Sequence, residues 1–296
     1  MLRNALFLSL VASAAVFAAP TPAPVTDTDI LQFALTLEHL ENAFYSGGLA
    51  KYDADAFEKA GFAPWVRGRF EQIAEHEASH VKFLTTALGD NATKPCVYDF
   101  PYDSPESFAE LSMALESVGD AAYLGAAHLV SDKGVLTDAA SILSVEGRHA
   151  GWVSASVLKN QPWNGPFDAP ITPSGAFSLA SQFIKSCPST NPSLPVQSFP
   201  ALTLTSSSSG SSISPGHSVS LDFDKRPANA SVAWLSGLDV VYSDLDGSGK
   251  TTVPQGLMGT VFATVVSSKD APPSDANMLS GFAIVQIPFD SRAANA

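Results

Sequence analysis

The chain has 296 residues, of which 45% are apolar and 15% charged, and a formal net charge of −13. This length allows more than one hydrophobic core, and the composition excludes an intrinsically disordered protein. The negative charge argues against nucleic acid as a partner, because binding to phosphates depends on Lys and Arg.

The first residues predict a secretory signal peptide, residues 1–18. The stretch "MLRNALFLSLVASAAVFAAP" combines one Arg, an apolar run over residues 5–17 and then small residues, with cleavage expected after Ala18. The apolar run is too short for a membrane anchor, and no later stretch reaches the length of a bilayer span. We therefore predict a secreted, extracellular protein without a membrane span.

Secretion gives the two cysteines a simple interpretation. In an oxidising compartment an even pair favours a disulfide, here between Cys96 and Cys187. Two glycosylation sequons, at Asn91 and Asn229, are compatible with glycans on surface loops.

Residues 27–190 are predicted to form a helical domain, because apolar residues recur there at three- and four-residue spacing. The first helix covers residues 28–45, with Thr26 and Asp27 as cap candidates, and the second covers 64–88, with Gly89 as its stop. The third runs from Ser104-Pro105 to before Gly134, the fourth from after Thr137 to about Leu158, and a shorter fifth covers 175–185. Four long amphipathic helices in succession favour a four-helix bundle.

The chain changes character after Cys187, where Pro, Ser, Thr and Val replace Glu. Strand candidates at 201–205, 218–223, 231–242, 256–267 and 279–289 predict a β-sandwich-like domain over residues 196–290. The tract around 206–212 is interpreted as a loop. "SDLDGSGKTT" fits neither a phosphate-binding loop nor an EF-hand and predicts a tight hairpin turn.

An internal repeat relates the two halves of the helical domain. "LTLEHLENAFY" aligns with "MALESVGDAAY", which pairs Glu38 with Glu116 and Tyr45 with Tyr123. "IAEHEASH" aligns with "ILSVEGRH", so that two Glu-x-x-His motifs correspond, Glu77/His80 and Glu146/His149. Ten Glu and six His in this length would give fewer than one such motif by chance.

These spacings predict one site for two metal ions. Residues i and i+3 share a helix face, so the Glu and His of each motif can reach the same ion. Glu38 and Glu116 complete a set of four carboxylates and two imidazoles, which would be costly to bury without metal. Tyr45 and Tyr123, seven residues after their Glu, are expected to hydrogen-bond the ligands or a bound water.

Glu41 competes with Glu38 for the ligand position, because it lies three residues away on nearly the same face. The repeat favours Glu38, since Glu41 aligns with Gly119. Glu75 is interpreted as solvated or as a neighbour of the ligands. His39 and His76 are placed at helix seams or the surface, and His128 and His217 away from the site.

The motifs resemble those of the ferritin-like di-metal carboxylate superfamily, on its bacterioferritin, rubrerythrin and manganese-catalase side. The resemblance implies Glu77/His80 and Glu146/His149 as paired ligands, with Glu38 and Glu116 as single ligands of the bridging type in one or both cases. "ESVGDAAYLGAA", "ILSVEGRHAGW", "SLASQFIKSCPSTNPSLPVQSFPALT" and "GLMGTVFATVVSS" also resemble secreted fungal ferritin-like proteins of the late-sexual-development and desiccation-related type. That resemblance implies a link to development or stress.

Oxygen and nitrogen ligands of this kind suit two Fe or two Mn ions. We expect an oxidoreductase acting on O₂ or peroxide, ferroxidase- or catalase-like. A second hypothesis is a non-enzymatic stress or developmental protein, with the bundle as scaffold and the β domain in contact with the cell wall. A caged iron store is a weaker third, because nothing in the sequence indicates assembly surfaces.

Overall fold

The computed structural model describes residues 25–206, 212–223 and 230–289. The expected signal peptide, Asn229 and most of the serine-rich tract lie outside these residues. Six α-helices occur in the described part: α1 Asp27–Lys51, α2 Ala54–Lys59, α3 Val66–Leu88, α4 Pro105–Ala126, α5 Lys133–Trp152 and α6 Pro173–Ala180.

Local signals in the sequence set the ends of the long helices. Thr26 caps α1 in a reciprocal capping box with Asp29, and Ser104 caps α4 with Pro105 in its first turn. Gly89 ends α3 with a positive φ of 62°, a conformation that glycine adopts at little cost. Each helix therefore begins or ends where a side chain or a glycine satisfies the backbone.

Four helices form the bundle as two packed pairs. α1 packs mainly on α3, and α4 mainly on α5. Their apolar faces meet in a core rich in aromatic rings, in which Phe44 stacks on Phe108 and Phe70 contacts Trp152 edge to face. This core lies at one end of the bundle and fixes the four helices around the polar residues described below.

Two short strands, β1 Val97–Tyr98 and β2 Ile184–Ser186, pair within the helical region. The C-terminal region consists of antiparallel sheets, with the strands β3 Thr203–Ser206, β4 Ser218–Asp222, β5 Ser231–Ser236, β6 Asp239–Asp244, β7 Lys250–Thr252, β8 Gly259–Val266 and β9 Ala283–Ile287. A three-stranded sheet has the order β3-β4-β7 and a four-stranded sheet the order β6-β5-β8-β9. Together with the helices they give the predicted class, a helical region followed by a β domain.

Strands β5 and β8 are buried on both faces. Alternate residues, such as Val232 and Trp234, join the core between the two sheets, whereas Ala233 and Leu235 join the core of the helical bundle. Successive side chains of a strand point to opposite faces, so one sheet serves both cores. The helical and β regions are therefore continuous in their apolar packing.

The disulfide between Cys96 and Cys187 is present. It lies beside the small β1–β2 sheet, where Val97 pairs with Ser186. The bridge thus ties the connection between α3 and α4 to the chain leaving the helical region.

Several predicted boundaries were wrong for identifiable reasons. α5 begins at Lys133 rather than after Thr137, because Asp132 caps it through the amides of Gly134 and Val135. The predicted strand 231–242 is two strands, since Gly237 (φ 58°) turns the chain between β5 and β6. The predicted fifth helix ends early, and its last residues form β2.

Three short elements, α2, β1 and β7, were missed. α2 has only six residues, too few for periodicity to show. The segment after β6 is a turn, in which the Asp246 carboxylate accepts hydrogen bonds from the amides of Ser248 and Lys250. It is not a hairpin, however, because β6 and β7 belong to different sheets.

Candidate metal centre

The six predicted ligands meet in the middle of the bundle. α1 supplies Glu38, α3 supplies Glu77 and His80, α4 supplies Glu116, and α5 supplies Glu146 and His149. Within the described residues, they form two overlapping groups whose ligand atoms all lie within 4.8 Å of one another. One group is Glu38, Glu77, His80 and Glu146; the other is Glu77, Glu116, Glu146 and His149.

Glu77 and Glu146 belong to both groups, whereas each remaining residue belongs to one. The geometry therefore gives the bridging position to the Glu of each Glu-x-x-His motif. The grouping favours these two residues over Glu38 and Glu116, for which the family resemblance implied a bridging role. The reason is geometric: α3 and α5 both place their Glu between the two groups, with the His of each motif three residues further on.

Both imidazoles present Nδ1 to the carboxylates. Nδ1 of His80 lies 3.2 Å from Glu38 and 3.3 Å from both Glu77 and Glu146. Nδ1 of His149 lies 3.1 Å from Glu116 and 3.3 Å from Glu77. In each group one nitrogen therefore faces several carboxylate oxygens, as it would across a shared cation.

The carboxylates are fully enclosed and incompletely paired. All four have a relative exposure of 0%. Oε1 of Glu77 and both oxygens of Glu146 make no hydrogen bond with the described residues, although Nδ1 of His80 lies near one of them. Because a buried charged oxygen without a partner is costly, these orphaned atoms fit a site that two cations would satisfy.

Burial and hydrogen bonds shift the pKa values of the clustered carboxylates. Burial raises the pKa of Glu38 to about 7, against the opposing hydrogen bond from His80. Burial, followed by repulsion from Glu77, raises the pKa of Glu146 well above its usual range. Burial also opposes ionisation of Glu77, but hydrogen bonds from His149 and His80 lower its pKa to about 2.

The histidines carry the compensating protons. Burial disfavours both imidazolium ions, yet hydrogen bonds to the carboxylates raise the pKa of His80 to about 12 and that of His149 to about 9. The cluster thus holds protons where divalent cations would bind. Metal binding would release them.

Each tyrosine of the repeat bonds to a carboxylate of the opposite half. The Tyr45 hydroxyl donates a hydrogen bond to Glu116, and the Tyr123 hydroxyl donates one of 2.6 Å to Glu38. Tyr45 is wholly buried and Tyr123 half-buried. These bonds orient the two carboxylates that belong to a single group.

His76 is exposed, as its interpretation as a seam or surface histidine predicted, but it also adjoins the site. Its Nδ1 lies 2.9 Å from Nε2 of His149, and the two rings are stacked. His76 also lines a surface cleft with Trp65, Arg69 and Trp152. Sequence spacing missed it because that spacing relates His76 to its own helix, not to α5.

Glu41 also lies beside the cluster. It is 4% exposed and makes no hydrogen bond with the described residues. A methyl group on Gly119 would lie 2.9 Å from Glu41 Oε1 and 3.1 Å from Glu146 Oε2, so the two carboxylates approach across this glycine. The repeat aligns Glu41 with Gly119, and in the structure the Glu41 carboxyl occupies the space beside this glycine.

The remaining polar residues lie elsewhere. The ring of His39 hydrogen-bonds the carbonyl of Thr93. Glu75 is exposed, and the ring of His217 lies near Ser212 in the β region. Asn91 is exposed at the end of a short 3₁₀ turn after α3, and its glycosylation stays a prediction.

Comparison with known proteins concerns the same part of the chain. Residues 26–159 match the family model of the ferritin-like domain. The chain is also similar to Protein rds1 of Schizosaccharomyces pombe (strain 972 / ATCC 24843), with 30% identity over 190 residues. That alignment covers 63% of this chain and 47% of the relative, so the chain spans about half the length of the curated protein it matches.

The family match begins at Thr26, the cap of α1, and ends just beyond the π-helical turn Val153–Val157 that follows α5. It therefore includes all four bundle helices and all six clustered side chains. No helix in the described part of the chain is long and apolar enough to cross a membrane. Residues 26–159 thus match the ferritin-like domain and hold a buried carboxylate and histidine cluster compatible with two metal ions.

Proposed function

We propose that this protein is a secreted di-iron or di-manganese protein with oxidoreductase activity on O₂ or peroxide. The observation that carries the proposal is the pair of overlapping ligand groups joined by Glu77 and Glu146. Two ions held by shared carboxylates would supply two-electron chemistry with oxygen species.

The protein's own residues contribute position, charge and exclusion of water. Four carboxylates would balance the charge of two divalent cations, and Tyr45 and Tyr123 hold Glu116 and Glu38 in place. The aromatic core beside Tyr45 closes one end of the site to solvent. His80 is the more exposed imidazole, at 13% of its side chain, and His149 reaches the surface cleft beside His76.

Secretion and a role in development or stress belong to the same proposal. The disulfide supports an oxidising compartment, and the expected signal peptide would deliver the chain there. Contact of the β domain with a cell wall would place the metal centre outside the cell.

The first experiment is the metal content of the purified protein, wild type beside His80→Ala/His149→Ala. We expect about two Fe or Mn ions per chain in the wild type, because two ligand groups are present, and loss of both ions in the variant. Anaerobic loading with each metal separately, followed by O₂ or peroxide consumption, then distinguishes iron from manganese chemistry.

A Glu75→Ala variant is the matched control, since Glu75 lies on α3 but is exposed. It should bind metal like the wild type. If wild-type protein binds neither metal after anaerobic loading, the proposal is wrong. The bundle would then serve as a scaffold, which is the non-enzymatic alternative.

A further inference from the structure

We propose that the cavity between the helical bundle and the β-sandwich binds a small apolar molecule that carries a hydroxyl group, with Glu41 as the residue that holds the hydroxyl. The cavity has a volume of about 300 Å³. It lies where α1, α4, the end of α6 and the sandwich meet.

The walls come from both regions of the molecule. They are mainly aliphatic, and representative residues are Leu37 and Leu40 of α1, Leu111 and Val118 of α4, and Leu204 and Ile284 of the sandwich. The β region thus forms one side of a cavity whose other side belongs to the ferritin-like domain. Such a space at the junction of two regions, mostly apolar with a few polar groups, is typical of ligand sites.

Glu41 is the charged group of the lining, and its carboxyl is left without a hydrogen-bond partner among the described residues. A carboxyl at the wall of an apolar cavity can accept a hydrogen bond from the hydroxyl of a ligand. An alcohol or phenol, which combines an apolar body with one such donor, is therefore its natural complement.

Size restricts the ligand further. A cavity of about 150 Å³ lined by aliphatic residues accommodates benzene. This cavity is about twice as large, so it fits a two-ring or comparable apolar body.

Gly119 connects the cavity to the metal cluster. It lines the cavity, and its missing side chain leaves Glu41 and Glu146 facing one another. A hydroxyl held by Glu41 would therefore lie next to a bridging ligand of the proposed centre. Whether the bound molecule is also a substrate depends on the proposed function. The binding itself does not depend on it.

The test uses 2-naphthol as probe and 2-methylnaphthalene, which has the same shape without the hydroxyl, as comparison. Calorimetric titration should show one 2-naphthol per chain, and 2-methylnaphthalene should displace it with about tenfold lower affinity, the worth of one hydrogen bond. Glu41→Leu should abolish this preference. Ala114→Phe fills the cavity from α4. It should lower the affinity for both compounds at least about tenfold, because the added ring occupies the space.

Ala140→Phe is the matched control, the same substitution at an exposed position of α5, and should bind both compounds normally. If Ala114→Phe fails to fold, Leu204→Phe fills the cavity from the sandwich side. Equal binding to the filled and wild-type cavities, or no binding of either compound, would overturn the proposal.

The metal-free variant His80→Ala/His149→Ala separates this inference from the proposed function. It should keep 2-naphthol binding even though it holds no metal. Loss of metal binding with retained 2-naphthol binding would therefore leave the cavity inference standing.

Discussion

The two halves of the bundle, α1 with α3 and α4 with α5, share a sequence pattern but differ around it. Both supply a Glu, a Glu-x-x-His motif and a Tyr that bonds to the opposite half. Outside that pattern Glu41 corresponds to Gly119, Asn42 to Asp120, and His76 to Val145. The ligands of the two proposed ions are thus alike, whereas their surroundings are not.

Glu41 and His76, both in the first half, give the cluster two different surroundings. Glu41 on α1 faces the apolar cavity under the sandwich. His76 on α3 lies beside the ligand His149 in a surface cleft with Arg69 and two Trp. Duplication of a pattern can therefore preserve the ligands while the non-ligand positions specialise.

The largest expected effect is on metal content. It should differ between residues that belong to both ligand groups and residues that belong to one. Because Glu146 belongs to both groups, Glu146→Gln should cost the protein both ions, whereas Glu38→Gln and Glu116→Gln should each cost one. Elemental analysis of the three variants measures this. Equal losses in all three would show that Glu146 does not bridge.

The crossed tyrosines should differ in importance. Tyr45→Phe should weaken metal affinity up to about 100-fold, the upper range for groups that orient a metal ligand. Tyr123→Phe should have a smaller effect, because part of the Tyr123 side chain is exposed whereas Tyr45 is wholly buried. Competition with a chelator gives both affinities, and a larger loss in Tyr123→Phe would contradict this ranking.

Asp120→Asn makes the second half resemble the first and should stabilise the protein at high pH. Burial, then repulsion from Asp168, raises the pKa of Asp120 from 3.8 to about 7. The folded state therefore holds this proton more tightly than the unfolded state, so stability falls as pH rises from about 4 to about 7. The variant lacks this loss and should exceed the wild type above pH 7, on the order of 2 kcal/mol.

Urea unfolding at pH 4 and pH 8 measures the effect, which should vanish at pH 4. The reverse exchange, Asn42→Asp, should destabilise the protein at pH 8. A stabilisation by Asp120→Asn that is the same at both pH values would rule out this titration as its cause.

The smallest effect is expected for His76→Val, which copies Val145. It removes the partner of His149 Nε2 and should weaken metal binding about three- to tenfold, less than for a buried partner because water can reach His76. Val145→His is the converse. Unchanged affinity in His76→Val would mean that His149 needs no such support.

The clustering of the six side chains could be predicted from the sequence because spacing on one helix fixes which side chains share a face. The repeat then identified Glu38 over Glu41 as the residue in line with Glu116. What spacing cannot give is the rotation of one helix against another. The proximity of Glu41 to Glu146 and of His76 to His149 depends on that rotation, and so both were missed.

The fold, too, could be predicted only in part from the sequence. The helical region and a sandwich were predictable from periodicity and composition, and the cap residues located most helix starts. The sharing of one sheet between two cores could not be predicted. A strand buried on both faces has a nearly continuous apolar sequence, which does not show what packs against each face.

That shared sheet has a consequence for how the chain unfolds and how it can be cut. Removing the β region would leave the bundle's contacts with Leu235, Phe262 and Phe282 as bare apolar surface. The helical segment alone would then tend to associate, and the intact chain should melt in a single calorimetric transition rather than two. The β region is thus a structural part of the bundle.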